Sequence, residues 1–252
     1  MVGSVARIAG VVVLVAAAAA CAGPSDGGAS RTLVVSAAAS LAVPFGDLAA
    51  DLEARRPGLD VQVNLGSSAT LAGQIVEGAP AGVFASAAAA PMELVGDRAV
   101  DVRGFAADDL VLAVPAGNPG RVGATADLAR PELRVGLCAP GVPCGDYGRS
   151  ALQDAGVTPS VDTEEPDAGS LLAKVRLGEL DVAVLYRTQV RSAGPEVELV
   201  ELSPSSDIRA VYLIAALRSP DGSSPSDDAR AFVDLVLGPG SATLRDAGYG
   251  TP

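Results

Sequence analysis

Two short runs in this chain place small residues and hydroxyls directly ahead of a helical spacing. Ala37-Ala38-Ala39-Ser40 follows one strand-like apolar segment, and Gly66-Ser67-Ser68 follows another. Small side chains let a ligand approach the backbone closely. A helix start leaves several N–H donors unpaired and carries about half a positive charge. Two such starts aimed at one point can hold an anion with no Arg or Lys. The same serines would equally serve as caps on their own helices, and the pattern alone leaves both readings open. Tyr186 closes the apolar run DVAVLY; by itself it reads as a core or rim tyrosine.

The chemistry that is missing narrows the function further. The chain contains no histidine, which removes Ser-His-Asp and Cys-His catalysis, the commonest neutral-pH base and most zinc and copper sites. Ser68 or Cys144 as the nucleophile of a lipoprotein enzyme would need a base. Neither residue sits in a GxSxG elbow, and Lys174 is the sole lysine. The chain therefore reads as a binding protein and not an enzyme, with no cofactor. Cys138 and Cys144 lie together in LCAPGVPCG. In an oxidising compartment they could bridge and close a small loop; two free thiols or a metal site are the alternatives, because geometry and not spacing decides.

Strand-like and helix-like segments alternate around these residues, the pattern of an α/β fold with mainly parallel sheets. Strands are predicted at 32–36, 61–65, 83–86, 110–114, 133–137, 182–186, 197–202 and 210–217. Helices are predicted at 43–54, 68–76, 125–129, 147–154, 170–177, 227–237 and 241–247. Turn chemistry separates them, as at Gly117-Asn118-Pro119-Gly120 and Ser203-Pro204. Two successive α/β units suggest two lobes, with crossings near 111–115 and 206–210. Lobe I would comprise 32–112 plus 208–252, and lobe II 113–207. Open α/β sheets bind ligands at strand carboxyl ends, so the cleft between lobes is the natural site.

Residues 1–20 carry one charge, Arg7, then an unbroken apolar run from Val11 to Ala20, the pattern of a signal peptide. The run is shorter than the roughly 20 residues a membrane span needs. Cys21 follows at once, as in the lipobox of bacterial lipoproteins, although Ala18 stands where leucine is usual. Residues 22–31 are Gly, Ser and Pro with little to bury, a flexible tether. Removing residues 1–20 leaves 17 basic against 30 acidic residues, which argues against a nucleic-acid partner. These features point to an exported monomer anchored through Cys21 to the outer face of the cytoplasmic membrane.

AAASL at 37–41, GSSATLAGQIVEGAPAGVFAS at 66–86, then LVLAVP, VPCGDYGRSAL and DVAVLY together resemble the periplasmic molybdate-binding proteins of molybdate ABC transporters. The similarity covers nearly all of 32–249. It implies a type II periplasmic-binding-protein fold, two α/β lobes closing on an oxyanion, and delivery of molybdate or tungstate to a membrane permease. Carried over by position, the family's ligand serines fall on Ser40 and Ser68, its backbone donors on Cys144 and Ala168, and its tyrosine hydroxyl on Tyr186. Asp167, beside Ala168, is expected to cap its helix and stay off the ligand. The chain departs from the family at Gly82 and Ala87, where acids are common, at Gly169, where arginine is frequent, and at Cys144, in place of a small apolar residue. A donor-only site suits molybdate, tungstate or sulfate, which carry no proton at neutral pH; phosphate usually keeps one and needs an acceptor. A carrier of sulfate, thiosulfate or another tetrahedral oxyanion in the same fold is the runner-up.

Overall fold

The computed structural model describes residues 31–202 and 208–252. The predicted leader, Cys21, most of the tether, the Ser203-Pro204 turn and the first two residues of the second crossing lie outside the described residues.

The first half of the chain alternates as its spacing suggests. β1 (Arg31–Ala38) leads through a 3-10 turn (Ala39–Leu41) into α1 (Ala42–Arg55), then β2 (Leu59–Gly66), α2 (Ser68–Val76), β3 (Val83–Ser86) and α3 (Ala89–Val95). β4 (Ala99–Pro115) is a single strand of 17 residues. β5 (Val135–Cys138), α4 (Pro143–Asp154), β6 (Val161–Glu165), α5 (Ala168–Arg176), β7 (Val182–Tyr186), α6 (Arg187–Ser192) and β8 (Val197–Val200) follow. The chain then returns through β9 (Arg209–Leu217) to α7 (Asp227–Leu237) and α8 (Ser241–Asp246).

The strands form one path, β2-β1-β3-β9-β4-β7-β5-β6, with β8 also on β4. At one end β1 runs parallel to β2 and β3; at the other β5 runs parallel to β6 and β7. The expectation of mainly parallel sheets needs correction, because β4 and β9 are antiparallel to every strand they pair with. The physical reason is connectivity. One strand carries the chain out of the first lobe and the other brings it back, so they run in opposite directions. β4 pairs with β9 as far as Asp109 opposite Arg209, and from Leu110 onward it pairs with β7. β4 thus changes partner from β9 to β7 at Asp109–Leu110. In the first lobe Phe45 packs edge-on against Phe232, ring centroids 5.5 Å apart, and also meets Phe105. Beyond the change of partner, Val111–Val114 of β4 and all of β7 are buried.

Asp108 sits just before this passage and is almost fully buried. Its carboxyl accepts from the hydroxyl and N–H of Thr188, at the start of α6. Burial pushes its pKa up to about 7, against the opposing pull of the Thr188 bonds and the Asp109 N–H; the charge of Asp109 adds a smaller upward push. Tyr186, Tyr212, Tyr249 and Arg187 lie within its electrostatic reach. A carboxyl with a raised folded pKa makes the native state hold an extra proton between the unfolded and folded values. Stability from this group is therefore complete at low pH and is lost as pH rises toward 7. At about 1.4 kcal/mol per unit, roughly 2–3 kcal/mol should disappear between pH 5 and pH 8. The carboxylates held below their usual range, such as Asp181 and Asp228, titrate beneath that window. Urea melts of Asp108→Asn should lose this slope and show higher stability at pH 8. An unchanged slope would assign the pH dependence elsewhere.

Candidate functional site

Four element starts converge where the two lobes meet. β1 delivers the 3-10 turn carrying Ser40, β2 delivers α2 beginning at Ser68, β5 leads to α4, and β6 leads to α5. Pro143 occupies the first turn of α4, where its missing N–H costs nothing; Cys144 follows as the next residue. All five residues singled out from the sequence, Ser40, Ser68, Cys144, Ala168 and Tyr186, line one small cavity. About 20 Å³ of it is open to the centre of a water-sized molecule, room for one water with little to spare.

Ser40, Ser68 and Cys144 are held in place by neighbours. Ser40 Oγ lies 2.9 Å from the Tyr212 hydroxyl, and the Tyr249 hydroxyl donates to the Ser40 carbonyl at 2.7 Å. Ser68 Oγ accepts from the Ala87 N–H at 3.0 Å, which leaves the Ser68 proton free to donate elsewhere. Cys144 is fixed to the end of β5 by a bond to Cys138, their Cα atoms 5.7 Å apart. At Gly145 a side chain would meet the Ala139 carbonyl at 2.1 Å, so only glycine lets α4 begin so close to that loop. Asp167 caps α5 as expected, accepting from the Ser170 N–H at 2.8 Å and from the Ser170 hydroxyl at 3.2 Å. Its oxygens are thereby engaged with Ser170.

The cavity lining contains no lysine or arginine, and Asp167 is its single acid. It does contain two hydroxyls that are buried without a partner, Tyr186 OH and Ser67 Oγ. Burial raises the phenol pKa of Tyr186 and of Tyr212 well above the ordinary range. Both phenols therefore keep their protons and remain donors. Tyr186, Tyr212 and Tyr249 stack edge to face, with centroids 6.1 and 5.4 Å apart, forming a wall behind Ser40. The arrangement can donate several hydrogen bonds to an anion and offers it no counter-charge, and its one carboxylate, Asp167, is turned to Ser170.

Tyr212 and Tyr249 escaped the reading of the sequence. They reach Ser40 from 172 and 209 residues away, and no local pattern signals such a contact. Ser67 was passed over in favour of Ser68, although both stand in the same Gly-Ser-Ser run. Two departures from the family pattern have local reasons. A side chain at Gly82 would strike Leu33 at 2.6 Å, and one at Gly169 would press on the Asp167 carboxylate at 3.1 Å.

Residues 33–250 match the family model described as bacterial extracellular solute-binding protein. The molybdate-binding protein ModA of Mycobacterium tuberculosis is 35% identical over 234 residues, covering 91% of this chain and 88% of that one. Among solved structures, the Azotobacter vinelandii periplasmic molybdate-binding protein superposes with a TM-score of 0.74 at 24% identity, covering 87% of this chain and 99% of that one. The sulfate-binding protein SubI of M. tuberculosis superposes with a TM-score of 0.72 at 18% identity, covering 88% and 87%.

Proposed function

The chain belongs to the bacterial extracellular solute-binding proteins, and on that premise we propose that it captures molybdate or tungstate outside the cytoplasmic membrane and hands it to an ABC transporter permease. It is a transport binding protein and not an enzyme. The observation that carries the ligand assignment is the composition of the cavity: convergent element starts and unpartnered hydroxyls, with no cation and no uncommitted carboxylate. Ser40 and Ser68 donate from lobe I, residues 32–112 plus 208–252. The Cys144 and Ala168 N–H groups and the Tyr186 hydroxyl donate from lobe II, residues 113–207. The change of partner of β4 from β9 to β7 at Asp109–Leu110, three residues before the proposed boundary, supports a division in this stretch.

Several donors to a charged acceptor, each worth about 1.5–3 kcal/mol, offset the cost of dehydrating a dianion. Phosphate fits less well, because Asp167, the one acid in the lining, is turned to Ser170 as a helix cap. Sulfate shares the charge and the lack of a proton. The 35% identical relative that covers most of both chains carries a molybdate-binding name, whereas the likeness to the sulfate-binding protein is one of fold; molybdate is therefore preferred. Outside the described residues, we read residues 1–20 as a removed signal peptide and Cys21 as the acylated anchor of a monomer. Cys138 and Cys144 form a disulfide in the exported protein. Among the described residues no helix is long and apolar enough to cross a membrane.

Calorimetry and thermal melts with molybdate, tungstate, sulfate and phosphate test the assignment. Molybdate at 100 times its Kd should add about 2.7 kcal/mol of stability, and phosphate almost none. A preference for sulfate would favour the runner-up, and equal, negligible responses would remove the function. Intact mass of envelope-derived protein reads the acylation and the bridge together; an unmodified Cys21 or two reactive thiols would refute them.

A further inference from the structure

Ser67 occupies the position immediately before α2, with extended backbone angles (φ −62°, ψ 132°). A serine there ordinarily turns its hydroxyl onto the free N–H groups of the first turn. Ser67 does not: it makes no side-chain capping bond. Its carbonyl still accepts from the Leu71 N–H at 2.9 Å, so the helix starts normally while the hydroxyl is spent elsewhere. The residue is only 5% exposed, its Oγ is buried with no partner, and it lines the same cavity as Ser40, Ser68 and Tyr186. A buried hydroxyl that forgoes the capping bond within its reach, and finds no other, is an arrangement folding alone does not favour.

We propose that Ser67 is a further direct donor to the bound oxyanion, so that the turn between β2 and α2 grips the ligand with two consecutive hydroxyls. The other unpartnered hydroxyl of the cavity wall, Tyr186 OH, comes from β7 on the opposite lobe. Ser67 and Tyr186 are then matched: each is left unsatisfied until an oxyanion enters between them. Ser68 differs from Ser67 in kind, because its oxygen is already engaged by the Ala87 N–H. This inference rests on the oxyanion-carrier reading and adds a contact that the positions carried over from the family do not contain.

The test compares Ser67→Ala and Ser67→Gly with the wild-type chain, using molybdate itself as the probe in calorimetry and thermal melts of the ligand-free protein. Loss of one donor to a charged acceptor should raise Kd roughly 10- to 100-fold in both variants. The melting temperature of the ligand-free alanine variant should hold or rise, because an unsatisfied hydroxyl has been removed. A capping role predicts the opposite pair of results: unchanged Kd, with a lower melting temperature for alanine and little change for glycine, which is a tolerated cap. That outcome overturns the inference and leaves the carrier reading standing. Wild-type protein that takes up no oxyanion would overturn both.

Discussion

Replacing Ser40 and Ser68 together by alanine should raise the Kd for molybdate by about 10² to 10⁴ while the protein remains folded. Each hydroxyl is a proposed donor to a dianion, worth about 1.5–3 kcal/mol, and each 1.4 kcal/mol is a factor of ten. The two residues lie on different elements and have different protein partners: Ser40 Oγ meets Tyr212, and Ser68 Oγ meets the Ala87 N–H. Both hold the same anion, so their effects couple through it, and the range given is that of simple addition. Binding is weakened and not abolished, because the backbone donors at Cys144 and Ala168 and the Tyr186 phenol remain. The ligand-free variant should also melt earlier. The Tyr212 hydroxyl and the Ala87 N–H each lose a buried partner, at about 1–3 kcal/mol apiece. Calorimetry with near-ultraviolet circular dichroism separates the two effects. An affinity within threefold of wild type would show that the anion sits elsewhere.

The parts of this fold that were legible in the sequence are those whose determinants are local. α2 and β7 run over the residues predicted for them, because each is a short apolar pattern bounded by small residues or turns. α4 was read as starting at 147, yet it begins at Pro143. Pro-Cys-Gly looks like turn chemistry until the Cys138 bond and the close approach at Gly145 pin it as a first helical turn. β6 was missed because its sequence, VDTEE, is mostly polar and its strand lies at the rim of the sheet with an exposed face. The first half of β4 was missed for a related reason. Its residues are largely exposed up to Phe105 and its pairing with β9 is interrupted by register shifts, so no clean alternation survives. α3 and α6 are each seven residues or fewer, too short to display a helical period.

The site divides along the same line. Serines ahead of helices announce themselves in the chain, whereas the tyrosine wall that orients Ser40 is assembled from β7, β9 and the C-terminal end. What the sequence could not reveal at all is which hydroxyls are satisfied. Ser67 and Ser68 are adjacent and chemically identical, and only the approach of the Ala87 N–H distinguishes them.

Tyr186→Phe should move stability and affinity in opposite directions, which separates a ligand group from a packing group. The ring is buried at the end of β7 and packs edge-on against Tyr212 at 6.1 Å. Phenylalanine keeps that contact and removes one oxygen. In the ligand-free protein this oxygen has no partner, so its removal relieves a desolvation cost of up to about 1–3 kcal/mol and the melting temperature should rise. With molybdate present the same oxygen is a proposed donor, and burial guarantees its proton by holding the phenol pKa far above neutrality. Losing it should raise Kd roughly 10- to 100-fold. At a fixed molybdate concentration the stabilisation conferred by the ligand should therefore shrink through the higher Kd alone, from a ligand-free protein that melts higher. A variant that melts lower with unchanged affinity would make Tyr186 a structural residue. The site would then close on its ligand through serines and backbone alone.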